Sequence, residues 1–280
     1  MDAAAVVNLA NVTTLYAELV SELEEVLEGA SLVLPDNEHF PDTVNASPEG
    51  VEILFERVLS YTPVPADTAF VLQFLAPDEE AGGGGCSSGA CGGKGATPAA
   101  LAELGADDTW RVTIPVQDTG NPVRLMSQLA RAAGDMLTQI AERTPPATER
   151  QRLVQAEVAA IACGLGPLLL GASHLVQKGC GGLNVYEGTT LPTATLAGLT
   201  ALFAEQHDET AKLGRLQRLL QPTPAEALEL ARTFFRQRPA FVQELRDTPE
   251  RVAFHCDFGA EQGLLDRWFG KRGAPALRPS

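Results

Sequence analysis

Hydrophobic residues recur at helical spacing over most of this chain. In VTTLYAELVSELEEVLEG (12–29), Leu15, Leu19, Leu23 and Val26 fall on one side among acidic residues, and Gly29 is placed to stop the turn. That spacing predicts an amphipathic helix with an acidic outer face. Ser47 followed by PEGVEILFERVLSYT supplies an N-cap, a proline suited to the first helical position, and a stripe of Val51, Leu54, Phe55, Val58 and Leu59. Between the two, SLVLPDNEHFPD (31–42) is predicted to be extended, because Pro35 and Pro41 forbid regular helix.

The period changes at TAFVLQFLA (68–76), which is rich in β-formers, and at WRVTIPVQ (110–117), where Val112, Ile114 and Val116 alternate. These predict two strands paired in a small antiparallel sheet, joined through a glycine-rich segment and a short helical piece, TPAALAELGA. From residue 121 onward the spacing is helical again, over 121–143, 147–173, 190–207, 210–221 and 224–238. No repeat of solenoid length occurs, and GKRGAPALRPS has the composition of a frayed end. The expected fold is α+β and mostly helical, a small antiparallel sheet packed on a helical bundle. It divides into an N-terminal helix (1–30), a core (31–209) and a C-terminal helical extension (210–280).

Composition narrows the class. A chain of 280 residues, 45% hydrophobic, buries a substantial core without disulfides. Its 36 acidic against 21 basic residues give a formal charge of −15, which repels phosphate backbones and anionic headgroups. Nucleic acid and membrane are therefore not expected partners, and a protein partner is. MDAAAVVNLA lacks the basic start and apolar core of a secretory signal, which points to the cytoplasm. VAAIACGLGPLLLGA (158–172) is too short to span a bilayer and is interrupted by Gly164, Gly166 and Pro167, so it reads as a helix buried on all sides. Five cysteines, an odd count, argue against a disulfide framework.

Candidate chemistry is sparse. GGGGCSSGACGGKG (82–95) sets Cys86 and Cys91 in a composition suited to a surface loop. The two thiols could close a redox pair, or supply half of a zinc site completed by Cys180 and His174. Cys180 lies in GCGGLN, read as a tight turn in a loop between helices. His174 follows the buried helix and is placed to cap its last carbonyls. His39, His207 and His255 are scattered, and His255 beside Cys256 points the wrong way to chelate with it. No Gly-x-Ser-x-Gly elbow is present, and GGKGAT lacks the Ser or Thr of a phosphate-binding loop. Trp110 and Trp268 read as core or interface anchors. ELEEVLE (22–28) is a solvated acidic face or a contact for a basic partner, and TFFRQRPAF (233–241) is a local basic and aromatic cluster that docks a partner or pairs with that helix.

Taken in order, LPDNEHFPD, the two strands, RLMSQLARAAGDMLTQ, ACGLGPLLLGASHL and LPTATLAGLTALFAEQH resemble the elements of compact bacterial zinc metallopeptidases of the ImmA/IrrE type, over residues 32–207. The resemblance implies a zincin-like core in which LARAAGD occupies the place of the His-Glu-x-x-His helix. Arg131 and Asp135 then stand where the two histidine ligands would be, and Ala132 replaces the carboxylate that activates water. Gln155 and Glu157 fall near the place of the acidic ligand on the next helix. Arg cannot ligate a cation and Ala cannot move a proton, so the scaffold is kept and the chemistry lost. The expectation is a non-catalytic interaction or regulatory protein with no cofactor. The alternatives are a metal-binding protein using Cys86 and Cys91 with Cys180 or His174, and a hydrolase whose catalytic residues are not recognisable. In a zincin-like domain the 82–95 segment would sit beside the substrate-facing edge, a position suited to partner contact.

Overall fold

A computed structural model describes residues 9–42, 47–75, 99–141, 143, 146–179, 182–256 and 258. Helices α1 (Leu9–Glu22) and α2 (Glu24–Leu27) form the N-terminal element, and Gly29, at φ +82°, ends it. Leu19 and Leu23 are buried as expected, but Val26 is half exposed, because the break between the helices turns Leu27 inward instead. The extended segment that follows is tightly held. Leu32, Val33 and Leu34 are fully buried, Val33 N–H donates to the Gly164 carbonyl at 3.0 Å, and Leu32 N–H donates to the Glu209 carboxylate. Ser31 and Lys212 reach the same carboxylate at 2.7 Å each. Gly164 takes φ +84°, and a side chain there would collide with the Ser31 backbone.

Helix α3 (Pro48–Leu59) forms as its sequence requires. The Ser47 side chain accepts from Gly50 N–H at 3.2 Å, and all five stripe residues are buried. Strands β1 (Phe70–Leu75), β2 (Ala102–Leu104) and β3 (Trp110–Pro115) make a sheet in the order β1-β3-β2. Here two expectations are corrected. The two long strands pair parallel, Phe70 opposite Trp110 and Leu75 opposite Pro115, because the connection between them is long enough for a crossover. The antiparallel partner of β3 is β2, in the stretch expected to be helical. Alanine-rich TPAALAELGA favours helix by propensity, but ladder bonds to β3 on one side and side-chain bonds to Ala100 and Ala102 on the other fix it as extended chain.

After the single turn of α4 (Val116–Thr119) comes α5 (Pro122–Ile140), capped by Asn121, whose side chain accepts from Val123 and Arg124. Helix α6 (Glu149–Ala162) opens on a reciprocal capping box between Thr148 and Gln151. The turn at Gly164 separates it from α7 (Gly166–Ala172), so the single helix expected over 147–173 is two. The loop expected after α7 is instead a hairpin of β4 (Leu175–Gly179) and β5 (Gly182–Tyr186), with Gly179 opposite Gly182. Helix α8 (Thr193–Gln206) is buried along its length from Thr195 to Ala204. Helices α9 (Thr210–Leu219), α10 (Pro222–Arg236), α11 (Pro239–Asp247) and α12 (Pro249–Phe254) complete the described chain. Helix α10 lies along α8 and α12 along α1, and one buried core runs from Ala10 to Phe258. Among the described residues no helix is long and apolar enough to cross a membrane.

Helices α5 and α6 approach backbone to backbone at Gly134. A side chain at Gly134 would fall against the Ala156 carbonyl and within 2.7 Å of the Ala160 nitrogen, so only glycine allows the two backbones to approach this far. Gly134→Ala is expected to lower stability by about 2–3 kcal/mol, read as a shift in denaturant midpoint; an unchanged midpoint would mean that the helices do not touch there.

Glu209 gives the fold a pH dependence. Burial raises the pKa of its carboxyl, but hydrogen bonds from Lys212, Leu32 and Ser31 outweigh that and hold it below the ordinary 4.5. Its contribution to stability is present above about pH 4.5 and is lost as pH falls through the lowered folded value. Glu209→Gln should therefore destabilise the protein at pH 7 and make little difference once the wild-type carboxyl is protonated. An equal loss at neutral and acid pH would contradict this.

Candidate functional site

The positions singled out on α5 lie on its buried face. Gln128, Arg131, Asp135 and Gln139 follow one another at intervals of three, four and four residues, which lines them up as a polar stripe on an otherwise alanine- and leucine-rich helix. Arg131 is 2% exposed and Glu157, facing it from α6, is 0% exposed. The Arg131 Nε and Nη2 donate to one Glu157 oxygen at 3.0 and 2.7 Å, Nη2 donates also to the Gly188 backbone carbonyl at 2.7 Å, and Nη1 to the Gln128 side-chain Oε1 at 2.6 Å. Glu157 accepts two further bonds, from Thr190 N–H at 2.8 Å and Leu191 N–H at 2.7 Å. Removing such a pair from water costs several kcal/mol per ion, and only this many donors and acceptors can offset it.

One helical turn on, Asp135 makes the second cross-link. Arg152 of α6 grips both its oxygens, Nε to Oδ1 at 2.9 Å and Nη2 to Oδ2 at 2.7 Å, and Ala102 N–H donates to Oδ2 at 2.9 Å. The Ala102 carbonyl in turn accepts from Arg152 at 2.6 Å and from Gln139 at 2.8 Å. Asp135 thus satisfies the outer backbone edge of β2, and its carboxylate is the first cause of the raised pKa of Arg152. At the other end, Gln128 accepts from Ala100 N–H at 2.8 Å and donates to Asp118 at 2.7 Å. Burial pushes the Asp118 carboxyl above its ordinary value against the pull of Gln128 and Arg124. Arg124 pairs with Asp118 at 2.5 Å and lies over the Tyr186 ring at 3.7 Å, so the stripe also ties down β5.

In its observed state this array holds helices and a strand edge together. Both Glu157 oxygens and both Asp135 oxygens accept hydrogen bonds from the protein, and Ala132, fully buried, carries no proton-transferring group. The structure therefore brings Arg131, Asp135 and Glu157 into one layer, with Asp135 at the inner wall of a cleft that Gln155 also lines. Cys86, Cys91, Cys180 and Trp268 lie outside the described residues. His174 is half-buried between α7 and β4, and the Leu170 carbonyl at the end of α7 is capped by Ser173, whose hydroxyl is 2.8 Å away, rather than by His174. Cys163 is buried, and desolvation pushes its thiol up to about 12, too high for a nucleophile at neutral pH. Trp110 is a core residue. Among the described residues no three His, Cys, Asp or Glu side chains converge as a metal site.

Asp118, Gln128, Gln139 and Arg152 belong to the layer and were not foreseen, although polar residues at 128, 131, 135 and 139 in a helix this apolar are a legible signal. No protein-family profile, curated protein or solved structure matches the chain.

Arg131→Met leaves a buried carboxylate without its cation and is expected to cost about 3–5 kcal/mol. Adding Glu157→Gln, which keeps an acceptor oxygen but removes the stranded charge, should restore at least ~1 kcal/mol. Simple additivity of the two losses in a double-mutant cycle would show that they are not coupled.

Proposed function

We propose that this chain is a non-catalytic interaction or regulatory protein on a scaffold similar to a zinc-metallopeptidase domain, its metal centre replaced by an internal ion pair. The observation that carries the reading is the contact between Arg131 and Glu157. In a His-Glu-x-x-His centre, two ligands four residues apart share one helix face and a carboxylate can approach from a second helix. Here Arg131 and Asp135 share such a face, and Glu157 approaches from α6. A guanidinium carries its positive charge covalently, so it neutralises the carboxylate and fills the space without any ion. With Ala132 in the base position, no group among the described residues of this layer is placed to take a proton from water. What remains is a rigid acidic body that acts on other proteins by contact.

The test is zinc content and peptide turnover. Protein purified without an affinity tag should carry no zinc in the α5–α6 layer and cleave no peptide. Any zinc bound through the cysteine-rich segment is recognised by its loss in Cys86→Ser/Cys91→Ser. The triple variant Arg131→His/Ala132→Glu/Asp135→His, with Glu157 untouched, should gain one zinc per chain. Stoichiometric zinc that survives the cysteine changes in otherwise wild-type protein, with hydrolysis abolished by chelation, would overturn the proposal.

A further inference from the structure

Beside the stripe, between the C-terminal half of α5 and the N-terminal half of α6, lies a cleft of about 390 Å³. Most of the residues that line it carry polar or charged side chains, which sets it apart from a gap in the core. Arg143 and Arg152 face it together with Thr138, Gln139, Gln155 and Glu149. Both arginines are only partly used. Arg152 commits Nε and Nη2 to Asp135 and the Ala102 carbonyl, while Nη1 donates to nothing among the described residues. Arg143 Nη1 is buried and makes no hydrogen bond among the described residues, although a Glu22 oxygen lies 3.2 Å away, and Nη2 meets Glu18 at 3.2 Å. Glu18 and Glu22 are 43% and 49% exposed, so their hold on Arg143 is weak and exchangeable.

Two guanidinium groups with unused N–H donors on one small cleft match an oxyanion, whose planar or tetrahedral oxygens accept such donors in pairs. Gln155, whose side chain makes no hydrogen bond among the described residues, adds an amide that can meet the same ligand. The Glu149 carboxylate at the cleft disfavours a second anionic group beside it, and the size excludes anything much larger than a small metabolite. We infer that this cleft binds a small oxyanion, a carboxylate or a phosphate, between Arg143 and Arg152. The inference does not depend on the scaffold's descent, since it uses donors that the Arg131–Glu157 pair leaves untouched. Binding would draw Arg143 away from α1 and couple the cleft to the exposed acidic face at the N-terminus.

Calorimetric titration of the full chain at low ionic strength with sodium acetate, and separately with inorganic phosphate, tests this and tells the two chemistries apart. One of them should bind 1:1 with a Kd of about 1 mM or tighter. Glu18→Gln/Glu22→Gln releases Arg143 and should tighten binding at least threefold, an effect that a purely structural role for these residues would not produce. Arg143→Gln should weaken it at least tenfold, and Gln155→Leu serves as the second variant if Arg143→Gln does not fold. Absence of binding by both probes to wild type and to Glu18→Gln/Glu22→Gln, or binding indifferent to every one of these changes, overturns the inference.

Discussion

Burying a guanidinium against a carboxylate is the constraint around which this molecule is arranged. Neither Arg131 nor Glu157 can be left in the core without partners, so α5 and α6 are held in one register and the segment from Gly188 to Leu191 is drawn in to supply a carbonyl and two amides. Asp135 and Arg152 repeat the logic a turn away and extend it to the outer edge of β2. Gly134 makes the arrangement sterically feasible, because the charges meet only if the two helix backbones nearly touch. The layer thus joins five pieces of the chain, α4, α5, α6, β2 and the strand-to-helix connection before α8, through hydrogen bonds that a hydrophobic core alone would not direct.

Much of the fold was legible in the order of residues. The stripe of α3, its Ser47 cap, the Gly29 stop and both long strands follow from spacing and capping chemistry, because these depend on neighbours a few residues away. The errors cluster where distant partners decide. Strand direction was misjudged because hydrophobic alternation is the same in parallel and antiparallel pairs, and β2 was hidden by alanines whose helical preference is outweighed by bonds to residues on α5 and α6. The β4–β5 hairpin was hidden by glycines that read as loop. Helices α11 and α12 fell within the expected C-terminal helical extension but were not delimited, although Pro239 and Pro249 stand at their first turns, a position that suits proline.

The candidate site was legible in position and not in meaning. Arg131 and Asp135 could be picked out as a face of α5, and Glu157 as a nearby acid, but a sequence cannot show that two charges face each other across a helix pair. Sequence alone equally suits a vacant cleft and a closed ion pair; burial and distance distinguish them, and here they favour closure. A metal centre must leave room for its ion and for a water beside it, whereas the oxygens of Asp135 and Glu157 are occupied by the protein itself. The interaction reading therefore rests on ionic groups being spent on architecture, and it leaves the acidic surface and the Arg143–Arg152 cleft as the parts free to meet other molecules.

The most direct measurement is an anomalous difference map at the zinc edge from crystals grown with zinc in excess. The account predicts no peak among residues 131, 135 and 157, with the guanidinium still hydrogen-bonded to Glu157. A zinc ion ligated by Asp135 or Glu157, with Arg131 swung aside to admit it, would contradict the claim that this ion pair has taken the place of a metal.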